Sequence, residues 1–445
     1  MKDKKYWLSS GFYTMMHRGV DFLLGFIGFM LLVRIISPED FGVWVLLTTI
    51  VSIIDMARNG FIQNGLIKYF VGKNPGVQAK IQTAAIWLNT SLSILIFLII
   101  WLLASPLAKL LNAPDLAEIL IIYSWVIPVL VFHTHNLVLM QASYDFKAYF
   151  FAGISKSLPF FLVILLAYMN FFELSLKSLA WYQNGAFLLA SLMSAYQVRK
   201  YFSLRSKVRP YWLIKLFHFG KYVFGTNLVS MLTNSLDKFL LGALLSPVQV
   251  AMANTAGRVM NMVEIPVNSI ASISYPKAAE AHDKKDSEEV GRLYEKTLGM
   301  MLALTVPFWL FCLVFAHYII LFIAGESYLN AVPFLRIMVF LALIKPFDRQ
   351  SGVFLDAIGK PFYNMIMVFG TFVYGVGLSW LFIQWTGLQG AAYGLVISIF
   401  ITVLIKNFIL SRYIDIHIWA CWAQAAKNYL RAFEEAKKRI GKKLH

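Results

Sequence analysis

Residues 83–105 read TAAIWLNTSLSILIFLIIWLLAS, a run dominated by Leu, Ile, Phe and Trp with no charged side chain. At 1.5 Å per residue a helix of that length crosses the roughly 30 Å hydrocarbon core of a bilayer. The backbone groups inside lipid must find partners within the segment, so the run is read as a helix. Its apolar residues do not alternate with period two, which sets aside a strand of a membrane barrel.

Working outward, comparable blocks cover 11–36, 41–66, 116–140, 149–170, 176–198, 217–245, 249–274, 297–323, 331–356, 361–384 and 388–411. The expectation is an all-α polytopic membrane protein of about twelve transmembrane helices. Composition points the same way. Of the 445 residues 59% are hydrophobic and 14% charged, where a soluble domain carries about 25% charged residues. Mean hydropathy is +0.66. Two cysteines, Cys312 and Cys421, are read as packing residues. Lys2, Lys4 and Lys5 precede a long apolar stretch with no small-residue cleavage site, so the first helix is expected to remain.

The net charge of +17 is a matter of topology. With the N-terminus cytoplasmic, about 27 Lys and Arg fall on that side, against about three (Arg34, Lys109, Lys177) on the other. The reading is a multi-pass protein of a bacterial cytoplasmic membrane with both termini inside. Its basic surface meets anionic lipid headgroups rather than nucleic acid. In 412–445, Trp419, Trp422, Ala426, Tyr429, Leu430 and Phe433 share a helical face. Lys427, Arg431, Glu434, Lys438 and Arg439 mostly lie elsewhere, which reads as an amphipathic basic helix on the inner leaflet.

The chain repeats itself. Arg34-Ile35-Ile36-Ser37-Pro38 precedes Ala243-Leu244-Leu245-Ser246-Pro247 by about 209 residues, and the same offset sets Asp55 opposite Glu264 and Arg18 and Asp21 opposite Asn227 and Ser230. Two six-helix lobes, 1–198 and 217–411, are expected, joined by a basic linker at 199–216 and followed by the tail at 412–445. An even helix number per lobe makes this a parallel repeat about an axis along the membrane normal, with a substrate path between the lobes.

Leu32-Val33-Arg34-Ile35-Ile36-Ser37-Pro38-Glu39-Asp40-Phe41-Gly42-Val43-Trp44 resembles the helix 1–2 signature of polysaccharide-unit flippases. Asp237-Lys238-Phe239-Leu240-Leu241-Gly242, Leu355-Asp356-Ala357-Ile358-Gly359-Lys360-Pro361 and Gly387-Leu388-Gln389-Gly390-Ala391-Ala392 resemble further segments of it in order. These are the O-antigen and capsule (Wzx-like) flippases of the multidrug/oligosaccharidyl-lipid/polysaccharide exporter superfamily. The sequence departs from the pattern at Val250-Ala251-Met252, where the second copy of Phe41-Gly42 lacks its aromatic residue. The resemblance implies a MATE-like fold of two lobes related by pseudo-two-fold symmetry. It implies a polyprenyl-pyrophosphate-linked oligosaccharide as substrate. Membrane lipids, a polysaccharide polymerase or glycosyltransferases are the implied partners.

Ionisable residues inside the blocks each cost about 2.5–3.5 kcal/mol at a helix centre, so each calls for a reason. Helix pairs at three- or four-residue spacing are Arg18 with Asp21, Asp55 with Arg58, and Lys345 with Asp348 and Arg349. One reading is internal ion pairing. The other is a wet cavity whose cations, Arg18, Arg58, Arg258, Lys345 and Arg349, hold a pyrophosphate, for which the guanidinium fork is well shaped. Asp21, Asp55 and Glu264 are the candidates for proton or sodium coupling. Lys156 and Lys406 are expected to snorkel towards helix ends. His133 and His135 alternate along a helix without companions for a metal, and His17 and His317 are packing or proton-coupling residues. No nucleophile–base set, metal spacing, cofactor motif or nucleotide-binding loop is found, so neither an enzyme nor a cofactor is expected. A cation-coupled drug or metabolite antiporter of the same superfamily and a membrane enzyme of polysaccharide assembly are the alternatives. The first calls for an acidic cavity and the second for a long catalytic loop.

Overall fold

The computed structural model describes residues 2–201, 207–284, 286–417 and 419–429. The side chains of 2–11, 57, 59–61, 64, 222–223, 226–227, 229–230 and 233–234 are outside that description. Leu430, Arg431, Phe433, Glu434, Lys438 and Arg439, named above, also lie outside the described residues.

Among the described residues fourteen α-helices precede the tail: α1 Lys2–Ile35, α2 Pro38–Phe70, α3 Pro75–Leu110, α4 Asp115–Ser124, α5 Ile127–Ala142, α6 Phe146–Tyr168 and α7 Leu176–Val198, then α8 Pro210–Leu244, α9 Pro247–Asp283, α10 Ser287–Ala324, α11 Val332–Met338, α12 Leu341–Ala357, α13 Pro361–Thr386 and α14 Leu388–Leu410. A 3-10 turn, Glu326–Ala331, precedes α11. The pairs α4–α5 and α11–α12 are bent by 53° and 47°. Taking each pair as one rod leaves twelve rods, each overlapping one apolar block of the sequence. Pro128 explains the first bend: it lacks the N–H that would reach the Ser124 carbonyl, and its ring crowds that carbonyl. Five helices are long and apolar enough to cross a membrane, and the bent pairs raise this to seven among the described residues. Three of the helices outside that set, α1, α2 and α9, carry the charged residues Arg18 and Asp21, Asp55 and Arg58, and Arg258 and Glu264.

The Ser37-Pro38 motif is a helix start. The Ser37 hydroxyl accepts from the Asp40 N–H at 3.0 Å, Pro38 occupies the first turn, and Glu39 and Asp40 meet the positive end of α2. Pro247 opens α9 after Ser246. A Cβ on Gly42 would overlap the Pro247 carbonyl, so glycine lets these two helix starts touch.

The chain divides into two compact units, Met1–Ala251 and Met252–His445. In the first, α1 lies on α6, and α8 packs along α2. Ile62, Leu66, Ile81, Leu139, Met140 and Leu216 form its buried core. In the second, α13 runs against α14, where a Cβ on Gly394 would strike the Ser379 backbone. The small residues Gly390 and Gly394 of α14 permit this close approach. Tyr294, Leu298, Phe354, Leu355 and Leu410 centre the second core.

The tail adds to this core. Residues 419–429 are helical, and Cys421 and Ala425 are buried among α10 and α12 residues. A Cβ on Gly299 would meet Gln424. The aromatic face stays outward, with Trp419 at 85% exposure. Sequence reading identified that aromatic face and missed the small-residue face that docks.

Candidate functional site

Polar groups line the interior of the first unit. On α2 the Arg58 Nη2 donates to Asp55 at 3.1 Å, the i,i+3 pair anticipated from spacing. Arg58 is 1% exposed, yet its Nε and Nη1 find no acceptor among the described residues. The buried hydroxyl of Tyr123 on α4 also lacks a partner and sits within electrostatic reach of both Asp55 and Arg58. From α5, His133 places Nδ1 3.1 Å from the Ala190 carbonyl, with Nε2 unpartnered. It feels Lys156, Arg58 and His17.

On α1, Asp21 does not pair with Arg18. It accepts from Ser157 of α6 at 2.6 Å and lies 3.5 Å from His17. Arg18 is exposed. Gly153 makes room for the His17 ring, since a Cβ there would overlap the imidazole. Lys156 does not turn out to a helix end. Its ammonium stands 4.8 Å over the Phe187 ring of α7.

The second unit settles its charges across helices. Lys345 of α12 binds Glu264 of α9 rather than Asp348. Asp348 instead accepts from Lys406 of α14 at 2.7 Å. Lys406 is 3% exposed and so, against expectation, is a buried ion-pair partner and not a snorkelling side chain. The physical reason is supply. Facing helices place an opposite charge directly across the gap, and a cross-helix bond satisfies a buried ion better than a strained contact one turn away. Beside these pairs, the Tyr294 hydroxyl, Ser351 and Asn407 form a buried hydrogen-bonded trio at 2.8–3.0 Å. Arg349 is exposed and Arg258 is half-buried.

The candidates therefore divide. In the first unit Asp55 and Arg58 come together and Asp21 joins His17 and Ser157, while in the second Glu264 and Lys345 come together. Arg18, Arg349 and Arg258 stand outside these pairs. Sequence reading missed Tyr123, Ser157 and Asn407 as members of the polar interiors, and gave His133 no place beside Arg58. A signal for the last was available: His133-Thr134-His135-Asn136 interrupts an apolar block. Among the described residues no three His, Cys, Asp or Glu side chains gather as a metal ion would need.

This all-helical arrangement is found in known proteins. It superposes on an inward-facing multidrug resistance MATE family transporter of the MOP superfamily with a TM-score of 0.74 at 16% identity, covering 88% of this chain and 94% of the other. It also superposes on the lipid II flippase MurJ in an inward closed conformation, TM-score 0.74 at 14% identity, covering 96% and 92%. The fold is thus MATE-like. In sequence, the lipopolysaccharide biosynthesis protein WzxC of Escherichia coli (strain K12) is 24% identical over 404 residues, 88% of this chain and 77% of its own length. A family model described as "Polysaccharide biosynthesis protein" matches residues 31–333. That match takes in the Arg34–Trp44 motif, the Asp55–Arg58 pair and Glu264, and by it the chain belongs to the polysaccharide biosynthesis protein family of multi-pass membrane proteins.

Proposed function

We propose that this protein is a flippase that moves polyprenyl-pyrophosphate-linked oligosaccharide units across the cytoplasmic membrane by alternating access, for assembly of a surface polysaccharide. Both termini are placed in the cytoplasm and each half contributes six spans. Glycosyltransferases supply the substrate and a polymerase consumes it.

The observation that carries the proposal is Arg58. A guanidinium 1% exposed in a membrane helix has two donors without acceptors. Leaving such groups unsatisfied costs about 1–3 kcal/mol each, more when charged. Phosphate oxygens are acceptors matched to that fork. Arg18 in the first unit and Arg258, Lys345 and Arg349 in the second are the further cations proposed to contact the substrate. Lys345 is a gated member, because Glu264 must release it first. Asp21, Asp55 and Glu264 are the coupling carboxylates, with the membrane potential worth about 2.3 kcal/mol per charge per 100 mV as an energy source. A drug antiporter calls for carboxylates open to cations, whereas here Asp55 and Glu264 each hold a basic partner.

The test is single replacement of Arg18, Arg58 and Arg258 by Ala in a strain lacking the chromosomal gene. Surface polysaccharide should fall and lipid-linked oligosaccharide accumulate, with the protein still in the membrane. Normal export from all three variants would overturn the assignment.

A further inference from the structure

One corner of the first unit has a chemistry that flipping does not use. Where the end of α2 and the middle of α3 face the start of α8, two adjoining hollows of about 500 and about 550 Å³ meet at Ile214. Their walls are aromatic and aliphatic: Tyr69, Tyr211 and Phe219 in one, Trp87, Leu213 and Phe217 in the other. Ile214 is 68% exposed between them.

The polar end of this furrow carries two ammonium groups. Lys215 donates to the Tyr211 hydroxyl at 3.0 Å and stands 4.8 Å from the Tyr69 ring and 5.3 Å from Trp212. Lys68 approaches the same aromatic group, 4.7 Å from Phe219 and 5.6 Å from Tyr69. The rings hold the cations in place, and an ammonium against a ring keeps N–H groups pointed away from it. Neither lysine has a carboxylate partner among the described residues. None is near in sequence either: no Asp or Glu occurs between Asp55 and Asp115, or between Glu173 and Asp237. Those acid-free stretches supply all three walls.

We infer that this furrow is a binding site for one anionic glycerophospholipid, with its phosphate between Lys68 and Lys215 and an acyl chain lying over Ile214. The charge is complementary, and the apolar trough continues directly from the cationic end, as head and chain of one molecule require. Two like charges sharing one aromatic ring repel each other, and an anion between them removes that cost. A soluble phosphate would use the lysines and leave the trough empty. Aromatic rings with lysines beside them belong at the membrane–water interface on the Lys-rich side, where anionic headgroups are concentrated. This site is independent of the transport reading, and its test does not depend on export.

Native mass spectrometry of the full chain in mild detergent, titrated with phosphatidylglycerol or phosphatidylethanolamine, decides the matter. The wild type should retain one phosphatidylglycerol in preference to phosphatidylethanolamine. K215Q should weaken that retention about fivefold and K68Q/K215Q about thirtyfold, at about 1 kcal/mol per lysine near the surface. K277Q, an exposed lysine of the second unit, should change nothing, and K68R/K215R should retain the lipid. I214W keeps both charges and fills the trough, so it should lose the lipid too, and it answers the question if the Gln pair fails to fold. Equal retention of the two lipids by the wild type, undiminished phosphatidylglycerol on I214W, or a retained mass belonging to a lipid-linked sugar would each overturn the proposal.

Discussion

The interiors of the two units handle buried charge differently. In the second unit Lys345 and Lys406 each meet an anion from a facing helix, Glu264 and Asp348. Those bonds tie α9 to α12 and α12 to α14. In the first unit Arg58 has one bond to a carboxylate on its own helix and two donors left over, with Tyr123 and His133 nearby holding unpartnered atoms of their own. A cross-helix ion pair fixes packing. A half-satisfied cation beside unpaired hydroxyl and imidazole groups costs stability and leaves a place for something else to bind. The Asp55–Glu264 correspondence of the repeat thus ends in two unlike partners, an intrahelical arginine and a lysine two helices away in the second unit.

The widest separation between the units is expected from Arg58→Met. Export should be lost, because the open donors go. The fold should change by less than about 1 kcal/mol, because the lost pair is offset by removing two unsatisfied buried N–H groups. Paired measurements of surface polysaccharide and of denaturant unfolding in mixed micelles read both numbers. A large loss of stability with export retained would place Arg58 among the structural pairs and erase the contrast.

Lys406→Met should act in the opposite sense. It removes the partner of Asp348 and leaves no relieved donor to compensate, so the fold should lose about 2–3 kcal/mol. Asp348 is 34% exposed, which keeps the loss at the low end. Adding Asp348→Leu to Lys406→Met should restore most of it, since a fully apolar replacement of an ion pair is often neutral. If the double variant is no better than the single one, the two side chains do not act as a pair.

Much of this was legible in the sequence and some was not, for identifiable reasons. Apolar blocks located the helices because lipid leaves the backbone no alternative to local hydrogen bonding, but not their ends: α3 begins at Pro75 rather than 83, α10 at Ser287 rather than 297, and α9 runs on to Asp283 rather than 274. The Asp55–Arg58 pair is local, set by a spacing of three residues, and ion pairing was one of the two readings offered for it; the Ser37 cap, which starts α2 at Pro38 rather than at 41, was not read. The partners of Lys345, Asp348 and Lys406 are not local. A one-dimensional reading sees Asp348 three residues from Lys345 and has no means of seeing Lys406 58 residues on. The tail shows the same limit: an aromatic stripe stands out in a sequence, whereas Cys421 and Ala425 mean nothing until Gly299 shows where they fit. Arg58 was singled out for its type and depth, but its open donors could only be counted once the neighbours were in place.

A smaller contrast lies within the first unit, between two surface bonds at different loops. Asp145 caps α6, accepting from the Ala148 N–H at 3.1 Å, and also binds Lys200 at 2.7 Å and Tyr201 at 3.1 Å, so it clasps the α5–α6 turn to the end of α7. Burial alone would raise its pKa, but Lys200, the Ala148 N–H and Tyr201 together hold it below the ordinary carboxylate value. A depressed folded pKa means stability that is complete above the unfolded value of 3.8 and is lost as pH falls through the lower folded one. Asp145→Asn should therefore cost about 1 kcal/mol near neutral pH, as a lost cap does, and its unfolding curve should be flatter than the wild type's below pH 4. The Lys177–Glu118 bond, 2.8 Å long, joins the start of α7 to α4 with both side chains at least half exposed. Water and salt screen the pair, and holding two long side chains together opposes it entropically. Lys177→Ala should leave the unfolding midpoint where it is at 0.15 M salt. A shift as large as that of Asp145→Asn would mean that the α4 contact at Glu118, and not only the clasp at Lys200, holds α7 in place.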